Sequence, residues 1–269
     1  MKYNNQLLTV KVTSQLKQLC NLLFELSNED RLNILLELQK NPLRLSHISE
    51  KFHFTVPETA RNIARLTEAN LLYKDADGRF RLTPLGEEAL KLLPSFEFIS
   101  KNKNYLQTHS LSRLPPEFAT GIGALVDYKF VKEVTTSIFN IENMMRQADE
   151  FIWVMVDQLL ASAVSLSAEA VSRGVELRKI IPRTADIPDP ILTLANDPVF
   201  EKAARARKLE SRYLDRVDVT ILLSEKELAL IAFPTLEGKF DFLGFQSQDE
   251  LAHNWAKSLF LHYWDKAKR

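Results

Sequence analysis

The chain has 269 residues, 45% hydrophobic and 26% charged, a composition that supplies apolar surface for packed cores and excludes a disordered or fibrous protein. Thirty-five Lys and Arg balance 35 Asp and Glu, so there is no global electrostatic pull toward nucleic acid or acidic lipid, and any such binding has to be local. The single cysteine, Cys20, excludes an intrachain disulfide and a multi-cysteine zinc site; within Leu19-Cys20-Asn21-Leu22-Leu23 it reads as a small buried residue.

At roughly 100 to 200 residues per domain the length predicts two domains. Residues 1–17 lack the apolar core of a signal peptide, and no apolar run reaches the roughly 18 to 20 residues that span a membrane, so a soluble, cytoplasmic protein is expected. The stretch 16–26 is apolar enough to be a core helix or the element through which two copies pair. Next, Leu26 to Leu38 opens with Ser27 or Asn28 as an N-cap and places Leu32, Leu35, Leu36 and Leu38 near one face of a helix. After Asn41-Pro42 a short helix, 46–52, is read as capped by Ser46. A turn at His53-Phe54 leads to a second helix from Thr55, where Thr55 and Glu58 have capping-box spacing and Pro57 sits in the first turn.

On that second helix, 100° per residue gathers Val56, Ala60, Ile63 and Leu66 on one side and Glu58, Arg61, Asn62 and Arg65 opposite them. Residues 71–82 then read as a β-hairpin around Asp77-Gly78, a type I′ turn signal, and Thr83-Pro84 starts another helix. Helix, short helix, turn, longer helix and hairpin is the order of a winged helix-turn-helix, whose second helix enters the major groove. Within that frame Asn62 can read adenine, Arg61 and Arg65 can reach guanine edges or phosphates, and Lys74, Arg79 and Arg81 can hold the flanking backbone. Ser46, Thr55, Glu58 and Thr59 complete the candidate DNA-binding set. The alternatives are a merely solvated amphipathic face and a winged helix that binds protein.

LSNEDRLNILLEL (26–38) and VPETARNIARLTEANLLYKDADGRFRLTPLGEEAL (56–90) resemble the first helix and the recognition helix, wing and following helix of ArsR-type winged-helix regulators. The metal sensors among those regulators carry paired cysteines or a His/Asp cluster. Here only Cys20, His47 and His53 are present, the two histidines lying across a turn, so no metal site is expected.

From Phe151 the texture changes to short β-rich runs, FIWVMV, VELRKII, VDVTILL, LALIAF and FDFLGF, alternating with helical stretches and closing on a long C-terminal helix, which predicts an α/β domain. The expected organisation is a winged helix-turn-helix over 1–93, a connector with the first helices of the second domain over 94–148, including a helix around Phe130 to Met145, and an α/β effector or dimerisation domain over 149–269. His109–Pro115, Phe118–Gly123, Ile152–Gln158, Gly174–Ile181 and Phe260–Asp265 resemble the effector portion of archaeal winged-helix regulators of the methanogenesis regulatory protein type. That resemblance implies a fold related to the phospholipase D superfamily, with a final helix packed across the sheet.

Catalytic members of that superfamily need His-x-Lys. The five histidines are followed by Ile-Ser, Phe-Thr, Ser-Leu, Asn-Trp and Tyr-Trp, so the nucleophile pattern is missing. The seven scattered glycines form neither GxGxxG nor a Walker loop, and there is no GxSxG elbow or HExxH. No enzyme and no cofactor are expected. His253 and His262 read as packing beside Trp255 and Trp264. The basic stretch Arg205, Arg207, Lys208, Arg212 and Arg216 reads as a solvated helix face, and Arg178 and Arg183, at a strand end, are the candidates for holding a small anionic effector. The sequence thus points to a transcriptional regulator that binds double-stranded DNA, a homodimer with an effector-sensing or dimerising second domain; the alternative is a phospholipase D-type nucleic-acid-processing enzyme.

Overall fold

A computed structural model describes residues 16–184 and 189–269, and the chain divides into two compact units, Met1–Leu93 and Pro94–Arg269. Most of the segment read above for a signal peptide lies outside the described residues. Among the described residues no helix is long and apolar enough to cross a membrane.

The first unit holds α1 through residues 16–26, α2 (Glu29–Lys40), α3 (Leu45–Phe52), α4 (Val56–Glu68), β1 (Leu72–Lys74), β2 (Phe80–Leu82) and the start of α5 (Pro84–Lys101). Asn28 caps α2, its side chain accepting from the Arg31 N–H at 3.0 Å. Ile34, Leu35 and Leu38 of α2 face the core, whereas Leu36 turns outward. α3 begins one residue before Ser46, with Arg44 at the N-cap position and no side-chain cap, so Ser46 is an exposed first-turn residue and not the cap. The turn after α3 is closed twice: Phe54 N–H donates to the Ser49 carbonyl at 3.0 Å, and the Ser49 hydroxyl donates to the Phe54 carbonyl at 2.8 Å. At α4 the full capping box forms between Thr55 and Glu58.

The hairpin pairs Leu72 with Leu82 and Lys74 with Phe80, and Leu43 bridges to Phe80 from the other side. Its loop is not the type I′ turn that Asp77-Gly78 signals. That turn needs positive φ at both central residues, and here only Gly78 (φ 77°) has it. Gly78 N–H donates to the Asp75 carbonyl and Asp75 N–H to the Arg79 carbonyl, giving a three-residue loop with glycine in the left-handed position. The Asp75 carboxylate fixes this loop by accepting from the Asp77 and Arg79 N–H groups at 3.0 and 2.9 Å. Ile34, Leu35, Ile48, Ile63, Leu66, Leu71, Leu72 and Phe80 form the core.

In the second unit, α6 (Lys103–Leu106), α7 (Pro116–Thr120), β3 (Lys129–Val131) and α8 (Val134–Gln147) precede the β-rich part: β4 (Phe151–Met155), α9 (Ala161–Ser172), β5 (Glu176–Pro182), α10 (Asp189–Ala195), α11 (Pro198–Arg205), β6 (Leu209–Leu214), β7 (Thr220–Ser224), β8 (Leu228–Ala232), β9 (Gly244–Ser247) and α12 (Glu250–Lys266). One seven-stranded sheet runs β3-β9-β8-β7-β4-β5-β6, with β4, β5 and β6 parallel and the rest antiparallel. Alternation along the strands builds two cores. Trp153, Met155, Ile221, Leu223 and Ile231 pack with α12 on one face, and Ile152, Val154, Leu222 and Leu230 pack with α8 and α9 on the other.

Three sequence expectations change here. Phe130, placed in a helix, lies in β3, so part of 94–148 belongs to the sheet itself. The basic stretch 205–216 is not one helical face: α11 ends at Arg205 and residues 209–214 form edge strand β6, because they continue the parallel ladder of β5. Of the run 240–245 only Gly244 and Phe245 enter the sheet, since Phe242 takes a positive φ of 61° and the Asp241 side chain accepts from Leu243 N–H at 3.0 Å in a tight turn.

Gly86, in the first turn of α5, lies against the residue that precedes β1: a Cβ added there would stand 2.4 Å from the Leu71 carbonyl oxygen. Backbone meets backbone at that point, so relief requires moving an element. Gly86→Ala is therefore expected to lower stability by about 1–3 kcal/mol, read as a lower urea midpoint for the transition of 1–93. An unchanged midpoint would show that α5 shifts freely.

Candidate nucleic-acid interface

The phase of α4 decides which of its side chains are available. Thr59, Asn62, Ile63 and Leu66 point inward, and Val56, Pro57, Ala60, Arg61, Ala64 and Thr67 are exposed. The inward set follows i, i+3, i+4, i+7 spacing, whereas the sequence reading set the stripe one step away, on Val56 and Ala60. Asn62, expected to read adenine, is buried, and Thr59 is fully buried with its hydroxyl donating to the Thr55 carbonyl at 3.0 Å. Thr55 and Glu58 are engaged with each other in the capping box. The outer face of α4 is small and apolar over its first two turns, with Arg61 as the long cationic side chain there and Glu68 exposed at the C-terminal end. Ser46 is exposed on α3.

Arg65 is committed elsewhere. Its Nε and Nη2 donate to the two oxygens of Glu25 at 3.2 and 2.5 Å, a bidentate pair from α4 to α1. Arg31, buried at the start of α2, has its Nε 2.9 Å from the same carboxylate and also donates to the Glu25 and Phe24 carbonyls at the end of α1. Both guanidinium groups lie over the Phe24 ring, at 5.6 Å for Arg31 and 5.2 Å for Arg65. The hydrogen bonds from Arg65, and then the charges of both arginines acting against partial burial, hold the Glu25 carboxyl below its usual value of 4.5.

On the hairpin, Arg81 Nε donates to Asp75 Oδ2 at 2.7 Å, the same carboxylate that fixes the loop, so Arg81 serves the hairpin. Lys74 and Arg79 are exposed, the ammonium of Lys74 lying 5.8 Å from the Phe80 ring centre. Among the described residues, Arg61, Lys74 and Arg79 make no ion pair. The geometry therefore divides the candidate cations into paired ones, Arg65 and Arg81, and unpaired ones.

The N-terminal helix α1 turns Leu16, Leu19, Leu23 and Phe24 outward, 44 to 59% exposed. Cys20 is exposed on the same helix rather than buried, because only Leu26 and in part Leu22 and Glu25 face the core.

In the second unit the expected effector cations have neighbours within the chain. Arg178 is layered between the Trp153 and Trp264 rings, at 4.9 and 5.5 Å, and pairs with Glu176 at 2.8 Å. Arg183 lies 3.7 Å from Asp215 and is half-exposed. Arg212 donates to the Trp264 carbonyl at 2.8 Å near the end of α12. His253 Nε2 donates to the Ser224 carbonyl at 2.6 Å, and the His262 ring packs edge-to-face on Phe118, which itself meets the Trp255 ring edge-on. His109, buried, has Nε2 3.1 Å from Asp241 and its ring stacked on Tyr105. Burial drives the Tyr105 phenol far above its usual range. Among the described residues no group of three or more His, Cys, Asp or Glu could hold a metal ion.

No family model matches the chain, and no curated protein matches it. Three solved structures are similar to it in part. TrmBL2, an archaeal chromatin protein described as showing a novel mode of DNA binding, is 18% identical over 90% of this chain and 94% of its own, with a TM-score of 0.42. Nuc of Salmonella typhimurium, a phospholipase D family member, is 9% identical over 53% of this chain and 95% of its own, TM-score 0.35. NucT from Helicobacter pylori is 8% identical over 53% and 96%, TM-score 0.39. At these scores nothing about the activity of this chain follows from the likenesses.

A carboxyl whose folded pKa is depressed stabilises the fold fully above its unfolded value and loses that contribution as pH falls through the folded value. Glu25→Gln is expected to unfold at lower urea than wild type near neutral pH, with the gap closing below about pH 4.5. A gap that does not change with pH would mean that the Glu25 charge contributes nothing.

Proposed function

We propose that the chain is a DNA-binding transcriptional regulator, non-enzymatic, whose first unit is a winged helix-turn-helix and whose second unit senses an effector or builds the dimer. The observation that carries this reading is the grouping of Arg61, Lys74 and Arg79, exposed and without an acidic partner among the described residues, on a capped helix after a tight turn and on the hairpin that follows. A helix in the major groove with a hairpin on the flanking backbone uses such cations, Arg61 toward base edges or phosphate and Lys74 and Arg79 toward phosphate. Ser46, exposed at the start of α3, is assigned to phosphate in this reading. Val56, Ala60 and Ala64 suit contact with thymine methyl groups, which replaces the adenine readout expected of Asn62. Paired Arg65 and Arg81 hold the scaffold. A phospholipase D-type hydrolase is disfavoured because no histidine of the chain is followed by x-Lys.

One such reading head makes few base contacts, so specific affinity near the usual ~10⁻⁸ M calls for two half-sites and hence two copies. The exposed apolar side of α1 supports pairing through Leu16, Leu19 and Leu23.

In fluorescence anisotropy with a duplex from the protein's own promoter region, Arg61→Ala is expected to weaken binding by about 1–3 kcal/mol with the fold intact, whereas Asn62→Ala lowers stability and leaves the affinity of the folded fraction unchanged. Full affinity in Arg61→Ala would remove α4 from the groove. For assembly, sedimentation at micromolar concentration is expected to give a dimer for wild type and a monomer for Leu19→Glu. A wild-type monomer both free and on DNA would defeat the pairing.

A further inference from the structure

The residue beside Arg178 has the opposite environment. Along β5 alternate side chains face alternate layers, so Arg178 lies among the tryptophans on the α12 side while Lys179 points toward α9. There it lines a cavity of about 30 Å³ that opens to solvent. The remaining lining is almost wholly apolar, including Val154, Val156, Leu160, Val164 and Phe242, with Gln158 and Ser167 as polar members. Lys179 is the one titratable group among the lining residues. The Phe200 ring, 5.3 Å from its Nζ, supplies a cation–π contact. Among the described residues no carboxylate pairs with it and no hydrogen bond satisfies it.

Lys179 is half-buried, and an ammonium set against apolar walls without a counter-ion is only partly solvated, which favours an anion beside it. Desolvation alone lowers the Lys179 pKa from its usual range, as expected of a cation that lacks its partner. The cavity has room for about two water-sized groups, since one needs roughly 10 to 15 Å³, and that is the size of the two oxygens of a carboxylate. The apolar side chains that line it on its way to solvent offer contact to a short hydrocarbon body.

We infer that the recess between β5 and α9 binds a small monocarboxylate with a short apolar tail, its carboxylate on the Lys179 ammonium and its tail against Leu160, Val164 and Phe242. The inference adds a site and a ligand class to the effector reading of the second unit, and rests on that reading only where coupling to DNA is concerned.

The experiment is calorimetric titration of the full chain, without DNA, with sodium butyrate and with butyramide, which has the same shape and no charge. Butyrate is expected to bind at least tenfold more tightly, Lys179→Met to erase that preference with an undiminished melting temperature, and Lys179→Arg, which keeps the charge, to retain part of it. Equal binding of the two compounds, no butyrate binding, an undiminished preference in Lys179→Met, or binding of inorganic phosphate in place of butyrate would each overturn the inference. If butyrate binds through Lys179 yet leaves duplex affinity unchanged at saturation, the site stands and the effector reading fails.

Discussion

Half-burying Glu25 on the inner side of α1 favours surrounding it with positive charge, and much of the first unit follows from how that is done. Arg31 comes from α2 and Arg65 from α4, so one carboxylate ties three helices together while Arg31 also satisfies carbonyls at the end of α1. The arrangement sets the rotation of α4. With Arg65 held toward α1, the positions one helical turn before it alternate between inward Asn62 and outward Arg61, and the exposed surface becomes Val56, Ala60, Arg61 and Ala64. Asp75 does for the hairpin what Glu25 does for the helices: it fixes the loop through two N–H groups and occupies Arg81. A protein with zero net charge can present a local cationic surface through cations that its carboxylates leave unpaired, and among the described residues of this unit Arg61, Lys74 and Arg79 meet that condition, as do Lys17 and Arg44 away from α4 and the hairpin.

The second unit is organised by the two-residue period of its central strands. Neighbours in sequence belong to different layers, so Trp153 and Val154, or Arg178 and Lys179, share nothing but backbone. One layer stacks cations on aromatic rings, with Arg178 and Arg212 on Trp264 and Lys257 on Phe151 and Trp153. The other leaves Lys179 against apolar walls. A basic pair on one strand thus supplies a packing element on one face and an unneutralised charge on the other.

Elements carried by strong local signals were legible in the sequence: the Thr55 and Glu58 capping box, the Asn28 cap, the hairpin over 71–82, and the strands at 151, 175, 217 and 228. What failed depended on tertiary context. The buried stripe of α4 was read one step out of phase because Thr59 and Asn62 are polar, yet both are buried while Val56 stays exposed. Edge strand β6 was hidden by its charges, since LESRYL alternates no more clearly as a strand than as a helix and gains its pairing from β5. Arg178 and Lys179 take opposite faces of β5, which the residue types of two neighbouring cations do not reveal. Ser46 was read as a cap because α3 starts one residue earlier than its hydroxyl implies.

The central claim is that unpaired cations meet DNA and paired ones hold the scaffold. The salt dependence of duplex affinity tests this most directly, because each phosphate contact adds about 0.9 to the slope of log K against log salt. Measured side by side, Arg79→Ala is expected to reduce the slope by about one unit, whereas Arg81→Ala keeps the wild-type slope in the folded protein. An equal loss of slope in Arg81→Ala, or no loss in Arg79→Ala, would contradict the account.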